Sequence, residues 1–112
     1  MATWKDVRKL ALALPGVEEG TTYGKLAFKV AGKRFAWDSP SEPGSLVLRC
    51  DIDERPLMIE SRPETFFVTP HYESYPMVLV RLERADREEL LDRIEESWLI
   101  SAPKKLADDY VR

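Results

Sequence analysis

Apolar residues recur along this chain at two different periods, and the switches between them predict its elements. Trp4, Val7, Leu10, Ala11 and Leu14 repeat at helical spacing, leaving Lys5, Arg8 and Lys9 outside. Thr3 and Asp6 stand at the spacing of a capping box, with Asp in place of the usual Glu, and Pro15-Gly16 stops the helix. The residues from Val17 to Gly24 read as a loop. Lys25 to Val30 then alternates with period two, Ala31-Gly32 is a turn, and Lys33 to Trp37 returns as the partner strand of a hairpin. A polar, Pro-containing loop leads to a third strand, Ser45 to Cys50.

A short helix follows around Asp53 to Ser61, with Asp53 as cap and Pro56 in the first turn, where no backbone donor is lost. Phe66–Val68 and Met77–Leu82 form two further strands. Asp86 caps the next helix, with Glu89 completing a second box. Leu90, Leu91, Ile94 and Trp98 make its inner stripe. A last short helix begins near Pro103 and docks through Leu106 and Tyr110. The order α-β-β-β-α-β-β-α-α predicts an α+β fold in which a single antiparallel five-stranded sheet carries helices packed on one face. Nothing divides residues 1–112 into more than one domain.

The hairpin concentrates charge. With Ala31-Gly32 as a two-residue turn, Val30 pairs with Lys33, Phe28 with Phe35 and Leu26 with Trp37, all on the face toward the helices. The opposite face sets Lys29 against Arg34, with Lys25 and Lys33 nearby. A three-residue loop would bring Lys29 against Lys33 instead and keep the cluster. Like charges facing each other across strands destabilise the pair. Two readings account for them: a basic ribbon shaped to enter a DNA groove, or a lysine-rich edge that deters strand-to-strand aggregation. Lys104 and Lys105 raise a related question. They oppose the dipole of the helix they begin, and with its free N–H groups they could hold a phosphate or simply be exposed lysines.

Overall charge argues against a general nucleic-acid binder. The 112 residues carry 17 Lys and Arg against 20 Asp and Glu, a net −3. The balance is polarised: residues 1–37 hold seven basic and three acidic groups, whereas the remainder is acidic. No apolar run approaches the roughly 20 residues of a membrane helix, and the N-terminus lacks signal-peptide features, so no membrane association is expected. The lone Cys50 has no internal disulfide partner, which points to the cytoplasm, and it ends an apolar run as a buried, inert thiol.

The candidate chemistry is sparse. His71 is the only histidine, which excludes any site needing two, and no Cys/His cluster has metal-ligand spacing. Neither a phosphate-cradling glycine loop nor a nucleophile elbow is present. No cofactor and no catalytic residue is expected, and the chain reads as a non-enzyme. His71 lies in a loop bounded by Pro70 and Pro76 and rich in aromatics, with Tyr72 and Tyr75 beside it, a segment built to hold a shape. It could serve as a general base next to Glu73 or, more simply, brace the loop by hydrogen bonding.

Several stretches together resemble one family. Leu14-Pro15-Gly16-Val17-Glu18-Glu19, Phe28-Lys29-Val30 and Gly32-Lys33-Arg34-Phe35-Ala36 are similar to segments of the MmcQ/YjbR family. So are Phe67-Val68-Thr69-Pro70-His71-Tyr72 through Tyr75-Pro76-Met77-Val78-Leu79-Val80-Arg81-Leu82, and Trp98 with Ala102-Pro103-Lys104-Lys105-Leu106. The resemblance implies a fold like the CyaY-like and secretion-chaperone-like α+β domains and DNA binding through a double wing. Lys25–Arg34 would form one wing and the loop through His71, Tyr72 and Tyr75 the other. Lys25, Lys29, Lys33, Arg34, Lys104 and Lys105 are then the candidate phosphate contacts. Four to six such contacts imply weak, mostly non-specific binding with a salt slope of roughly −4 to −5. The alternative is a non-catalytic module that takes a protein partner, a second copy or a small ligand near the His71 loop.

Overall fold

The computed structural model describes residues 2–110. Helix α1 runs from Trp4 to Leu12, and its capping box forms as the spacing predicts. Thr3 N–H donates to Asp6 Oδ2 at 2.9 Å, and Asp6 N–H donates to Thr3 Oγ1 at 3.3 Å. The next residues are a strand rather than the expected loop. β1 (Val17–Thr22) pairs antiparallel with β2 (Lys25–Val30), so the sheet has six strands, not five. Its sequence hides it because an edge strand needs only backbone pairing, and Val17 alone packs against the main core. The connecting turn, Tyr23-Gly24, has both residues at positive φ (54° and 76°), the geometry that suits the twist of a two-residue hairpin.

β3 (Lys33–Asp38), β4 (Ser45–Arg49), β5 (Phe66–Phe67) and β6 (Met77–Arg81) complete an antiparallel sheet in the order β1-β2-β3-β4-β6-β5. The β2–β3 hairpin is therefore interior, flanked by β1 and β4. It is neither a lysine-rich edge nor a ribbon that projects alone. Charged β1, with Glu18 and Glu19, occupies the edge instead.

The hairpin register departs from the expected one at a single point. Val30 pairs with Lys33 and Lys29 with Arg34, but Phe28 then pairs with Ala36 and Ala27 with Trp37. Phe35 is one extra residue in β3, a β-bulge. Because side chains alternate faces along a strand, one inserted residue reverses the direction of all that follow. Phe35 and Ala36 both enter the core beneath the helices, and Trp37 turns to the other face. The expected Phe28–Phe35 and Leu26–Trp37 pairs do not form.

Helix α3 (Arg87–Ser101) holds the bulge in place. Ser97, fully buried, donates from Oγ to the carbonyl of Phe35 at 2.5 Å and accepts from the N–H of Arg49 at 2.9 Å. The backbone groups that the bulge takes out of the ladder are thus satisfied by a side chain. Ser97 takes a place on the inner stripe, whereas Leu91, expected there, is 38% exposed. Asp86 caps α3 through the Glu89 N–H at 2.8 Å, but the Glu89 side chain turns to Arg62 at 3.5 Å rather than closing a box.

Helices α1 and α3 cover the main core, where Phe28, Phe35, Leu46, Leu48, Ile94 and Trp98 are at or near full burial. Helix α4 (Lys104–Tyr110) docks on the same side, through Leu106 and through Tyr110, whose ring lies 4.9 Å from that of Trp98. The opposite face of the sheet bears a smaller apolar cluster of Ala27, Trp37, Val47, Met77 and Leu79. What covers part of it is the segment between β5 and β6, a 3₁₀ turn at Pro70–Tyr72 that lowers Tyr72 onto the cluster.

Helix α2 (Arg55–Ser61) secures that segment. Asp53 does not cap it; its N–H instead bonds Asp51 Oδ1 at 2.9 Å, and Glu54 precedes the helix without a side-chain cap. Arg55 is buried and donates to main-chain carbonyls: to Tyr72, Tyr75 and Met77 at 3.2, 2.8 and 3.0 Å, and to Glu73 at 2.5 Å. One guanidinium thus gathers four carbonyls of the aromatic loop, which fixes its path.

Replacing Arg55 by Met should cost about 2–4 kcal/mol in urea unfolding and speed amide exchange between residues 71 and 77, because the carbonyls lose their donor. A loss below about 1 kcal/mol would show that the loop holds itself. Ser97→Ala should cost about 1–3 kcal/mol, since a buried carbonyl and N–H lose their partner. Cys50, 2% exposed, has its thiol pushed up to about 11 by burial. It should therefore resist alkylation in the native protein at pH 8 and react fully in denaturant, as followed by mass spectrometry.

Candidate functional site

The bulge, the hairpin turn and the clamped loop converge on one pocket of about 300 Å³ on the helix-free face. Thr22 and Tyr23 enter it from the β1–β2 turn, and Arg34, Trp37 and Asp38 come from β3. Pro40, just past β3, and His71 with Tyr72 complete the wall. Its floor is aromatic. Trp37, 2% exposed, donates from Nε1 to Tyr72 Oη at 3.4 Å, and their rings lie 6.5 Å apart with a 58° tilt. That bond uses the phenolic oxygen as an acceptor and leaves its hydrogen available. His71 stands edge-on to Tyr72 at 4.6 Å, exposed at the rim.

Arg34 is the principal cation of the pocket. Its guanidinium carbon lies 4.3 Å from the centroid of Trp37, a cation–π contact that positions the group without using its N–H donors in a hydrogen bond. The other buried or half-buried arginines on this side each give at least one donor to the fold. Arg49 Nε donates to the Arg34 carbonyl at 2.7 Å, Arg55 clamps the loop, and Arg81 lies over Phe67 and donates to the Pro63 carbonyl at 3.2 Å. Among the described residues, the Arg34 side chain donates no hydrogen bond and makes no ion pair. Asp38 supplies the one carboxylate of the wall, 4.0 Å from Lys25 Nζ.

Positive charge accumulates beside the pocket. Lys29 is directly opposite Arg34, and Arg49 on the next strand is 6.0 Å from the same indole. Burial, and after it the neighbouring Arg34 guanidinium, lowers the pKa of Arg49. Glu18 faces Lys29 from β1, which tempers one end of the row.

The structure thus brings together part of what the sequence singled out. Arg34, His71 and Tyr72 share the pocket, Lys29 lies beside Arg34, and Lys25 borders the pocket through Asp38. Tyr75 is 6.3 Å from His71 ring to ring but points outward at 52% exposure, and Lys33 is exposed at the far turn. Lys104 and Lys105 are not part of this face. They sit on α4 with the helices, and Lys104 pairs with Asp108 at 2.8 Å. Sequence reasoning missed Trp37, Tyr23 and Arg55 as site residues. Arg55 left one trace: a cation in the first turn of a helix opposes the macrodipole and calls for a tertiary partner. Trp37 left none, because nothing local marks the bulge.

No helix among the described residues is long and apolar enough to cross a membrane. The YjbR family model matches residues 12–100. An uncharacterised protein of Mycobacterium bovis is 34% identical over 128 residues, covering 99% of this chain and 97% of its own length, and one from Mycobacterium tuberculosis matches equally. A crystal structure of a Deinococcus radiodurans protein with the domain DUF419 superposes with a TM-score of 0.75 at 24% identity. It covers 89% of this chain and 78% of that one, a likeness of fold. With the family model spanning most of the chain and the mycobacterial relatives aligned along nearly all of it, this chain belongs to the YjbR family.

Proposed function

We propose that the chain is a non-catalytic binding module whose working surface is the helix-free face of the sheet, centred on the Arg34–Trp37–Tyr72 pocket. The observation that carries this reading is the guanidinium of Arg34, which no hydrogen-bond acceptor or carboxylate among the described residues engages. An arginine held over an indole inside a concavity, with no acceptor for its side-chain donors among the described residues, is suited to recognise an incoming oxyanion. The clamped loop supports it, because a site is more precise when its walls are fixed before the ligand arrives. His71 is here part of the wall, edge-on to Tyr72, with no carboxylate partner among the described residues that would make it a base.

A second reading, weak and non-specific DNA contact, is favoured by the row of Lys29, Arg34 and Arg49 across three adjacent strands. The hairpin's place inside the sheet makes this a face rather than a pair of wings, and the α4 lysines lie on the other side. About three to four phosphate contacts remain, which implies a salt slope of roughly −3 to −4.

A gel-shift titration with duplex and single-stranded DNA at several salt concentrations separates the readings. Under the DNA reading, binding appears at low salt, follows that slope and is lost when Lys29→Glu is combined with Arg34→Glu. Absence of binding at low salt, or indifference to the double charge reversal, removes DNA as the partner. It leaves the small-ligand module standing, to be tested with probes aimed at the pocket.

A further inference from the structure

Three recesses among the described residues contain an arginine; in one, Arg93 is already paired with Glu96 at 3.2 Å, and the other two differ in what their arginine has left to offer. The larger, about 500 Å³ between the N-terminus and the end of β6, contains Arg81. Its guanidinium already lies 4.0 Å over Phe67 and donates to Pro63, and Glu42 and Glu83 share the wall. Two carboxylates in that wall disfavour an anion, and one donor of its arginine is already given to a main-chain carbonyl.

The smaller pocket has the opposite character. Arg34 is held by its contact with Trp37, and among the described residues its side-chain donors make no hydrogen bond or ion pair. A carboxylate matches the guanidinium fork with two parallel hydrogen bonds. Tyr72 Oη, already accepting from Trp37, has a proton to give. Within the wall itself Arg34 is the one cation and Asp38, 4.0 Å from Lys25 Nζ, the one carboxylate, so a single forked carboxylate matches the site better than a more highly charged group. The remaining surface is ring edge and face: Trp37, Tyr72, the imidazole of His71, and Tyr23, which stands 89% exposed at the mouth. A volume of about 300 Å³ lies at the lower end for small-molecule sites.

We propose that this pocket binds a small monocarboxylate carried on a flat aromatic body, the carboxylate forked onto Arg34 and the ring lodged among Trp37, Tyr72 and Tyr23. The inference rests on the helix-free face being the binding surface and adds the class of ligand. Arg34 sets the charge selection, Tyr72 orients the head group, and Arg55 acts only as a positioning residue by fixing the carbonyls of the loop that carries Tyr72.

The test uses benzoate, phenyl phosphate, benzyl alcohol and an oligothymidylate, with the indole N–H resonance of Trp37 as reporter. Benzoate should shift that resonance and saturate within the roughly millimolar range, at least about tenfold tighter than benzyl alcohol. Arg34→Gln should remove about tenfold of the affinity, Arg34→Lys should recover only part of it, and Tyr72→Phe should cost a few-fold, each with thermal melting to confirm folding. Equal binding of benzoate and benzyl alcohol, unchanged binding by a folded Arg34→Gln, or no benzoate response in that range overturns the proposal. If phenyl phosphate or the oligothymidylate binds through Arg34 while benzoate does not, the ligand class is wrong and the binding-module reading survives. If no probe responds, both fall.

Discussion

Phe35 stands in β3 without a partner on β2, and the direction of every side chain after it in that strand depends on this one extra residue. Were the ladder regular, Trp37 would share the face of Phe35 and join the core under the helices. The bulge sends it to the other side, where it becomes the platform on which Arg34 lies and the donor to Tyr72. A bulge leaves backbone groups out of register, and a buried orphan carbonyl costs about 1–3 kcal/mol. Ser97 removes that cost from α3, more than sixty residues along the chain, by bonding Phe35 O and Arg49 N together. The helix layer and the open face are therefore coupled through a single hydroxyl.

The same logic governs the loop over the open face. Its tyrosines and prolines stiffen it locally, but stiffness alone leaves many positions open. Arg55 selects one by collecting carbonyls from four residues, Tyr72, Glu73, Tyr75 and Met77. A guanidinium can do this because its planar set of donors reaches several acceptors at once, where a lysine would offer a single point. Two arginines thus divide the work on this side of the protein. Arg55 gives its donors to the fold, and among the described residues Arg34 gives none.

Charge placement sharpens the contrast between a stable face and a prepared one. Lys29, Arg34 and Arg49 lie on neighbouring strands, and their mutual repulsion works against the sheet they belong to. Glu18 on β1 offsets one end of the row, and stacking on Trp37 offsets another part. What remains is a local excess of positive charge beside a small aromatic pocket on a chain with net charge −3. On the reading proposed here, a bound anion relieves that excess, so stability and binding draw on the same groups.

Residue periodicity alone determined the helices, the hairpin, the starts of the other three expected strands at Ser45, Phe66 and Met77, and the α+β class, because each of those follows from local burial of one face. Capping at Thr3 and Asp86, burial of Cys50 and the cation pair Lys29–Arg34 were legible for the same reason: they depend on neighbours in sequence or directly across a two-residue turn. β1 was not, since an edge strand of Glu, Gly and Thr is held by main-chain bonds that carry no side-chain pattern. Nor was the pocket. Its floor depends on a bulge stabilised by Ser97 and its rim on a loop clamped by Arg55, contacts made between segments distant along the chain. Their identity was written in the sequence, but only the tertiary structure decided that a tryptophan would turn to the helix-free face and that an arginine beside it would have no donor engaged among the described residues.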